Sequence, residues 1–73
     1  MNELVRNVLQ LFSELNRDNL DLHTLFEAGG NDRESREQVF DTVSQMVRDG
    51  LLEERGSDFY AITAKGKHVA GER

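Results

Sequence analysis

The chain has 73 residues, a formal net charge of −5 at pH 7, no cysteine and two histidines. This length predicts one domain over residues 1–73, and the lack of thiols excludes disulfides and thiolate metal sites. No apolar run approaches the ~18 residues of a membrane span. The N-terminus also lacks the pattern of a signal peptide. We therefore expect a cytoplasmic protein that has no membrane partner and binds no metal.

The first predicted element is an amphipathic helix over Asn2–Arg17. Its apolar side chains cover roughly 160°, which is wider than the ~100° stripe of an ordinary surface helix. These apolar residues are Leu4, Val5, Val8, Leu9, Leu11, Phe12 and Leu15. Two interpretations stay open: the helix lies deep in the core of its own chain, or one flank also forms a homodimer contact. The candidate dimer face is Val5, Leu9 and Phe12.

A short second helix is predicted over residues 22–28, with Asp21 as its N-cap. The stretch 20–22 is either a short strand or the beginning of this helix. Gly29-Gly30 end the helix, because glycine adopts the left-handed conformation common after a helix C-terminus. The side chains expected to be buried are Leu22, Leu25 and Phe26.

A third helix begins after a cap at Asn31 or Asp32 and ends at Gly50. Asn31 followed by Glu34 is similar to a capping box. The apolar residues of this helix occupy an arc of about 120°, which is typical of a helix that faces a core. They are Val39, Phe40, Val43, Met46 and Val47.

Two strands are predicted next, over residues 51–55 and 58–63, joined by a two-residue turn at Gly56-Ser57. Phe59 or Tyr60, together with Ile62, provides the apolar alternation expected of the second strand.

A last helix over residues 64–70 is expected, capped by Thr63 and ended by Gly71. Gly66 weakens this helix by about 1 kcal/mol relative to alanine. The complete order predicts a mostly helical α+β domain with three helices, a two- or three-stranded sheet that contains a hairpin, and a short C-terminal helix.

Two segments near the hairpin form a recognisable sequence pattern. Residues 46–53 read MVRDGLLE and residues 60–66 read YAITAKG. Together they resemble the passage L-x-x-x-G-L-I-E … Y-x-L-T-x-K-G of small winged-helix transcription regulators, such as the MarR and PadR families. The order of elements along the whole chain shares the resemblance, and the similar sequence spans residues 43–66. The resemblance implies a winged helix-turn-helix fold in which the third helix is the recognition helix and the hairpin is the wing.

The resemblance also implies a DNA-binding transcription regulator. Its candidate nucleic-acid-binding residues are Arg33, Arg36, Gln38, Gln45, Arg48, Arg55, Lys65 and Lys67. Glutamine side chains on a recognition helix would read adenine edges, and the cations would contact phosphates.

The charge of the third helix supports an alternative function. Glu34, Glu37 and Asp41 lie opposite the apolar arc. These three acids would repel a phosphate backbone. The alternative is a winged-helix module for protein–protein interaction that docks its acidic face on a basic protein and does not bind DNA. DNA and a basic protein therefore both remain candidate partners.

Enzymatic activity is not expected. His23 has Asp21 and Glu27 nearby in sequence, but no second histidine at helical spacing and no nucleophile–base pair accompany it. Gly29-Gly30 lacks the Gly-Lys-Ser/Thr continuation of a phosphate-binding loop. We predict no catalytic residues, no metal ligands and no cofactor.

Overall fold

The structure is a computed structural model that describes residues 2–71. Within this range it contains four α-helices, one 3₁₀ turn and three strands, which confirms the mostly helical α+β class. The elements are α1 (Glu3–Glu14), β1 (Asn19–Asp21), α2 (Leu22–Leu25), the 3₁₀ turn (Phe26–Ala28), α3 (Arg33–Arg48), β2 (Leu52–Glu54), β3 (Phe59–Ile62) and α4 (Ala64–Gly71). No helix in residues 2–71 is both long enough and apolar enough to span a membrane.

The three strands form one antiparallel sheet in the order β1–β3–β2. Tyr60 of the central strand lies opposite Leu20 on one side and Glu54 on the other. Residues 20–22, which were predicted as either a short strand or the beginning of a helix, contain parts of both. Strand β1 ends at Asp21 and helix α2 begins at Leu22. The sheet therefore has the larger of the two predicted strand numbers.

The hairpin between β2 and β3 has a longer connection than predicted. The backbone N–H of Arg55 donates to the carbonyl of Phe59 over 2.8 Å, which leaves residues 56–58 as a three-residue loop. Both Gly56 and Asp58 have a φ of 65°. The two-residue turn predicted at Gly56-Ser57 is therefore wrong. Asp58 belongs to the loop and not to the strand, since it takes the left-handed conformation, which aspartate tolerates better than most residues.

The first helix ends earlier than predicted, at Glu14 instead of Arg17. Asn16 has a φ of 54°. Its N–H donates to the carbonyl of Ser13, and the N–H of Arg17 donates to that of Phe12, each over 3.1 Å. This pair of hydrogen bonds is the Schellman motif that closes many helices, and asparagine occupies the left-handed position in place of the usual glycine.

Aspartates cap the second and third helices. The Asp21 carboxylate accepts hydrogen bonds from the Thr24 hydroxyl over 2.7 Å and from the Thr24 N–H over 3.3 Å. The Asp32 carboxylate accepts from the Ser35 N–H over 3.2 Å, so Asp32 is the cap and Asn31 is not. These hydrogen bonds favour the ionised carboxylates, and they lower the pKa of Asp21 and of Asp32.

One hydrophobic core joins the helices to the sheet. Its buried residues are Val8, Leu9, Phe12, Leu20, Leu25, Val39, Val43, Met46, Leu51, Leu52 and Tyr60. Leu9 is 2% exposed and Phe12 is 3% exposed, so both belong to the core of their own chain. The prediction that Leu9 and Phe12 belong to a dimer face is therefore wrong. Of the three residues predicted for that face, only Val5 is partly accessible.

Three large apolar side chains lie outside this core. Leu15 is 45% exposed, Phe40 46% and Phe59 45%. Leu15 and Phe40 were predicted to face the core, and both predictions are wrong. Leu15 lies at the closing turn of α1, and Phe40 lies at the edge of the apolar arc of α3. In β3 Tyr60, not Phe59, is the buried aromatic side chain.

The start of α4 is tied to the end of α3. The Thr63 hydroxyl lies 2.6 Å from the Gly50 carbonyl oxygen, and it accepts a hydrogen bond from the Gly66 N–H over 3.0 Å. The Lys65 ammonium donates to the Asp49 carbonyl over 2.8 Å. Thr63 is therefore the predicted cap, and the same segment satisfies carbonyl groups that the end of α3 leaves free.

Gly66 lies where α4 passes closest to the loop after α3. A Cβ at this position would overlap the Leu51 carbonyl oxygen and lie 2.9 Å from Cγ1 of Ile62. The glycine lowers helix propensity, but it permits this approach. The part of the winged-helix sequence pattern at residues 60–66 thus has a structural role that is independent of any ligand.

Candidate interaction surface on the third helix

The outer surface of α3 carries three acidic side chains, Glu34, Glu37 and Asp41. All three are exposed. None of them takes part in the two ion pairs found within residues 2–71, which are Arg55–Glu53 and Lys67–Asp18. No ion pair within these residues offsets their charges, and we call Glu34, Glu37 and Asp41 the acidic strip of α3.

Two of the cations on α3 are engaged with neighbouring groups. The guanidinium of Arg36 lies over the ring of Phe26, 5.5 Å from its centroid. Nη2 of Arg48 donates to Oε1 of Gln45 over 2.9 Å, and Nε2 of Gln45 donates to Asp49 over 3.1 Å. Gln45 therefore uses both ends of its amide within its own helix.

The cations of the hairpin and of α4 also have partners in the chain. Arg55 pairs with Glu53 over 2.8 Å, and Lys67 pairs with Asp18 over 3.3 Å. Lys65 contacts the carbonyl of Asp49. Exposed contacts of this kind contribute at most about 1 kcal/mol each, but they direct these cations toward their own protein.

The predicted nucleic-acid-binding residues extend over the whole length of α3, with Gln45, Arg48 and Lys65 near its C-terminal end. Arg33 is in the first turn of α3, whereas Lys65 lies beside the C-terminal end of α3, where it contacts the Asp49 carbonyl. A helix of 16 residues separates these ends by about 24 Å. Gln38 lies on the exposed surface with the acids.

Phe40 is the feature of this surface that the sequence interpretation missed. It lies one helical turn after Arg36 and Glu37, and it is 46% exposed. Arg36 in turn lies over Phe26, and the His23 ring meets Phe26 edge-on at 6.3 Å. Phe40 therefore lies between two different surfaces. On one side are Arg36 and Phe26, and on the other is the acidic strip of α3. The position of Phe40 at the edge of the arc was the available sequence signal.

The absence of catalytic residues and of metal ligands stays a prediction from the sequence. Within residues 2–71, no group of three or more histidine or carboxylate side chains could hold a metal ion.

Comparisons with models of known protein families, with curated proteins and with solved structures found no match to this chain.

Proposed function

We propose that this chain is a winged-helix domain. The proposal is supported by the order of its elements, in which three helices and a short strand precede the β2–β3 hairpin. The β1–β3–β2 sheet order agrees with it, since the hairpin strands are extended by the strand between α1 and α2.

We further propose that the domain is a protein-interaction module that docks the outer face of α3 on a basic partner. One observation carries this proposal: the acids of this face are exposed and unpaired, while five of the six candidate cations contact groups of their own chain. The five are Arg36, Arg48, Arg55, Lys65 and Lys67. A face with this charge distribution attracts a basic surface and repels a phosphate backbone.

Phe40 supplies the apolar contact that such an interface needs. Interfaces draw most of their binding energy from a few buried aromatic or arginine side chains surrounded by polar groups. On α3 the exposed Phe40 ring has Glu37 one turn before it, and Glu34 and Asp41 lie farther around the helix. The matching partner segment is amphipathic, with an apolar side chain for Phe40 and lysine or arginine for the acids.

The test is a pull-down that compares two charge-reversal variants. Glu37→Lys combined with Asp41→Lys is expected to lose the partners that the wild-type domain captures, because the acidic strip becomes basic. The matched control is Glu53→Lys combined with Glu54→Lys, which changes the net charge equally on exposed residues of β2. Equal capture by both variants and the wild type would contradict the proposal.

DNA binding is the second candidate function. It is supported by the resemblance to winged-helix regulators and by the exposed Arg33 and Arg36 in the first turn of α3. On this alternative, affinity falls steeply with salt and is weakened by Arg36→Ala or Arg48→Ala. A mobility-shift assay at low salt distinguishes it from the protein-interaction module.

A further inference from the structure

One flank of α1 is lined by side chains that recur every three or four residues. These are Asn2, Val5, Arg6, Leu9, Ser13 and Asn16, which therefore lie along one side of the helix and its closing turn. Two shallow grooves follow this flank, one at each end of α1. Their charges are opposite.

The groove toward the C-terminal end of α1 is basic. It has a volume of about 970 Å³ and lies between α1 and α4. Arg6, Arg17 and Lys67 line it, and Asp18, which pairs with Lys67, is its one acidic lining residue within residues 2–71. This is a local excess of positive charge in a chain with a net charge of −5.

The groove toward the N-terminal end of α1 is acidic. It has a volume of about 390 Å³ and lies between the start of α1 and the end of α3. Asp41 and Asp49 line it, and no cation is among its lining residues in the described part of the chain. Val5, Met46 and Leu51 provide its apolar floor.

We propose that this flank of α1 binds a second copy of the chain across a two-fold axis perpendicular to the helix. Such an axis makes the two α1 helices antiparallel. The basic groove of each copy then covers the acidic groove of the other, and Arg17 approaches Asp49 of the second copy.

Self-complementarity is the reason for choosing a second copy as the occupant. A two-fold contact places the same patch on both subunits. A patch with a positive and a negative end matches itself when it is turned end to end, whereas a parallel arrangement would place like charges together. The 12 residues of α1 separate its ends by about 18 Å, which is longer than the screening length of ~10 Å at 0.1 M ionic strength, so the two charged ends act separately under that condition.

This surface goes beyond the proposed docking function and overlaps only in part with the dimer face expected from the sequence. Val5 and Leu9 lie on the same flank, but Leu9 and Phe12 are buried in the core of their own chain, so the contact relies on the charged side chains at the two ends of the flank. It does not use Phe40 or Glu37. Asp41 borders both surfaces, so the test uses Asp49 and leaves the α3 docking face unchanged.

The test is sedimentation equilibrium of the full chain from about 10 μM to 1 mM at low salt. The wild type is expected to form dimers that dissociate as salt is added, because charge pairs hold the two copies. Arg17→Glu and Asp49→Lys are each expected to weaken association about tenfold, and combining both in one chain restores it. Circular dichroism of each variant verifies that its helices are intact.

Arg55→Glu is the matched control for Arg17→Glu. It makes the same change in net charge, but on the exposed hairpin, outside the α1 flank. Association of this variant is expected to equal that of the wild type. The proposal is overturned if the wild type remains monomeric at about 1 mM, or if the combined Arg17→Glu and Asp49→Lys variant associates no better than either single variant. Partner capture by the α3 face is expected in all these variants, so failure of this dimer leaves that function intact.

Discussion

At the scale of single residues, Gly66 has a role that helix propensity does not indicate. Glycine is a poor helix former, and in sequence it marks α4 as a weak helix. In the structure it allows α4 to approach the Leu51 carbonyl, while Thr63 and Lys65 bind carbonyls at the end of α3. The segment that resembles winged-helix regulators is thus explained by packing between α3 and α4.

Gly66→Ala is predicted to destabilise the protein. The added Cβ overlaps the Leu51 carbonyl oxygen, and the backbone must shift to relieve the overlap. We expect the free energy of unfolding to fall by about 1–2 kcal/mol despite the gain in helix propensity. Urea denaturation measures this difference.

Gly71→Ala is the control for that substitution. Gly71 is in the same helix, and a Cβ there meets no atom within 4 Å. This variant is expected to be as stable as the wild type or slightly more stable. If Gly66→Ala is also neutral, the close approach of α4 to the Leu51 carbonyl is refuted.

Phe40 shows why residue environments are harder to predict than elements. Hydrophobicity and helical spacing both assign it to the core, together with Val39 and Val43. The burial of a residue at the edge of the arc depends on which neighbour covers that edge. The 3₁₀ turn before α3 places Phe26 beneath Arg36, and Phe40 is exposed.

At the scale of elements, local chemistry at the helix ends explains most of the boundaries. The N-caps at Asp21 and Thr63, and the glycine stop at Gly50, were predicted from residue type and are present. The helix predicted over residues 22–28 continues beyond Leu25 as a 3₁₀ turn, and two of the other errors, at Asn16 and Asp58, occur where a non-glycine residue takes a positive φ. Asparagine and aspartate adopt that conformation only where the local hydrogen bonds favour it, so composition alone does not reveal it.

The cap at Asp21 is predicted to make stability depend on pH. Hydrogen bonds from Thr24 lower the pKa of Asp21 below its value in the unfolded chain. Its contribution is therefore present above the unfolded pKa of about 3.9 and is lost as the pH falls through the folded pKa. The difference in stability between the wild type and Asp21→Asn is expected to be larger at pH 7 than at pH 3.

Urea denaturation at the two pH values provides this comparison. Asp21→Ala removes the cap itself and is expected to lower stability by about 1 kcal/mol at pH 7. A difference between the wild type and Asp21→Asn that is the same at both pH values would rule out the carboxylate as the source of the effect.

At the scale of the whole molecule, the distribution of charge is the argument for the proposed protein-interaction module over DNA binding. Acids of α3 are exposed, and most cations near the hairpin and α4 contact their own chain. The sequence alone predicted the acidic face, because the spacing of charges along a helix determines its sides. It could not predict that Lys65 binds a carbonyl of α3 or that Lys67 pairs with Asp18, since both contacts join segments distant in sequence.

The fold class was predictable for a related reason. Periodicity, caps and glycine stops are local signals, and they determined the order of the elements. Strand β1, Asn19–Asp21, has three residues and pairs with β3. A strand this short leaves almost no pattern in sequence, and tertiary pairing alone establishes it.

The most direct test of the proposed function is an NMR titration of isotope-labelled protein with mixed-sequence duplex DNA at low salt. The acidic α3 face predicts no shift changes in α3 or the hairpin, whereas a lysine-rich amphipathic peptide is expected to shift Glu37, Phe40 and Asp41. Shifts from DNA that concentrate on α3 and residues 55–58 and disappear with added salt would contradict the protein-interaction module and support DNA binding.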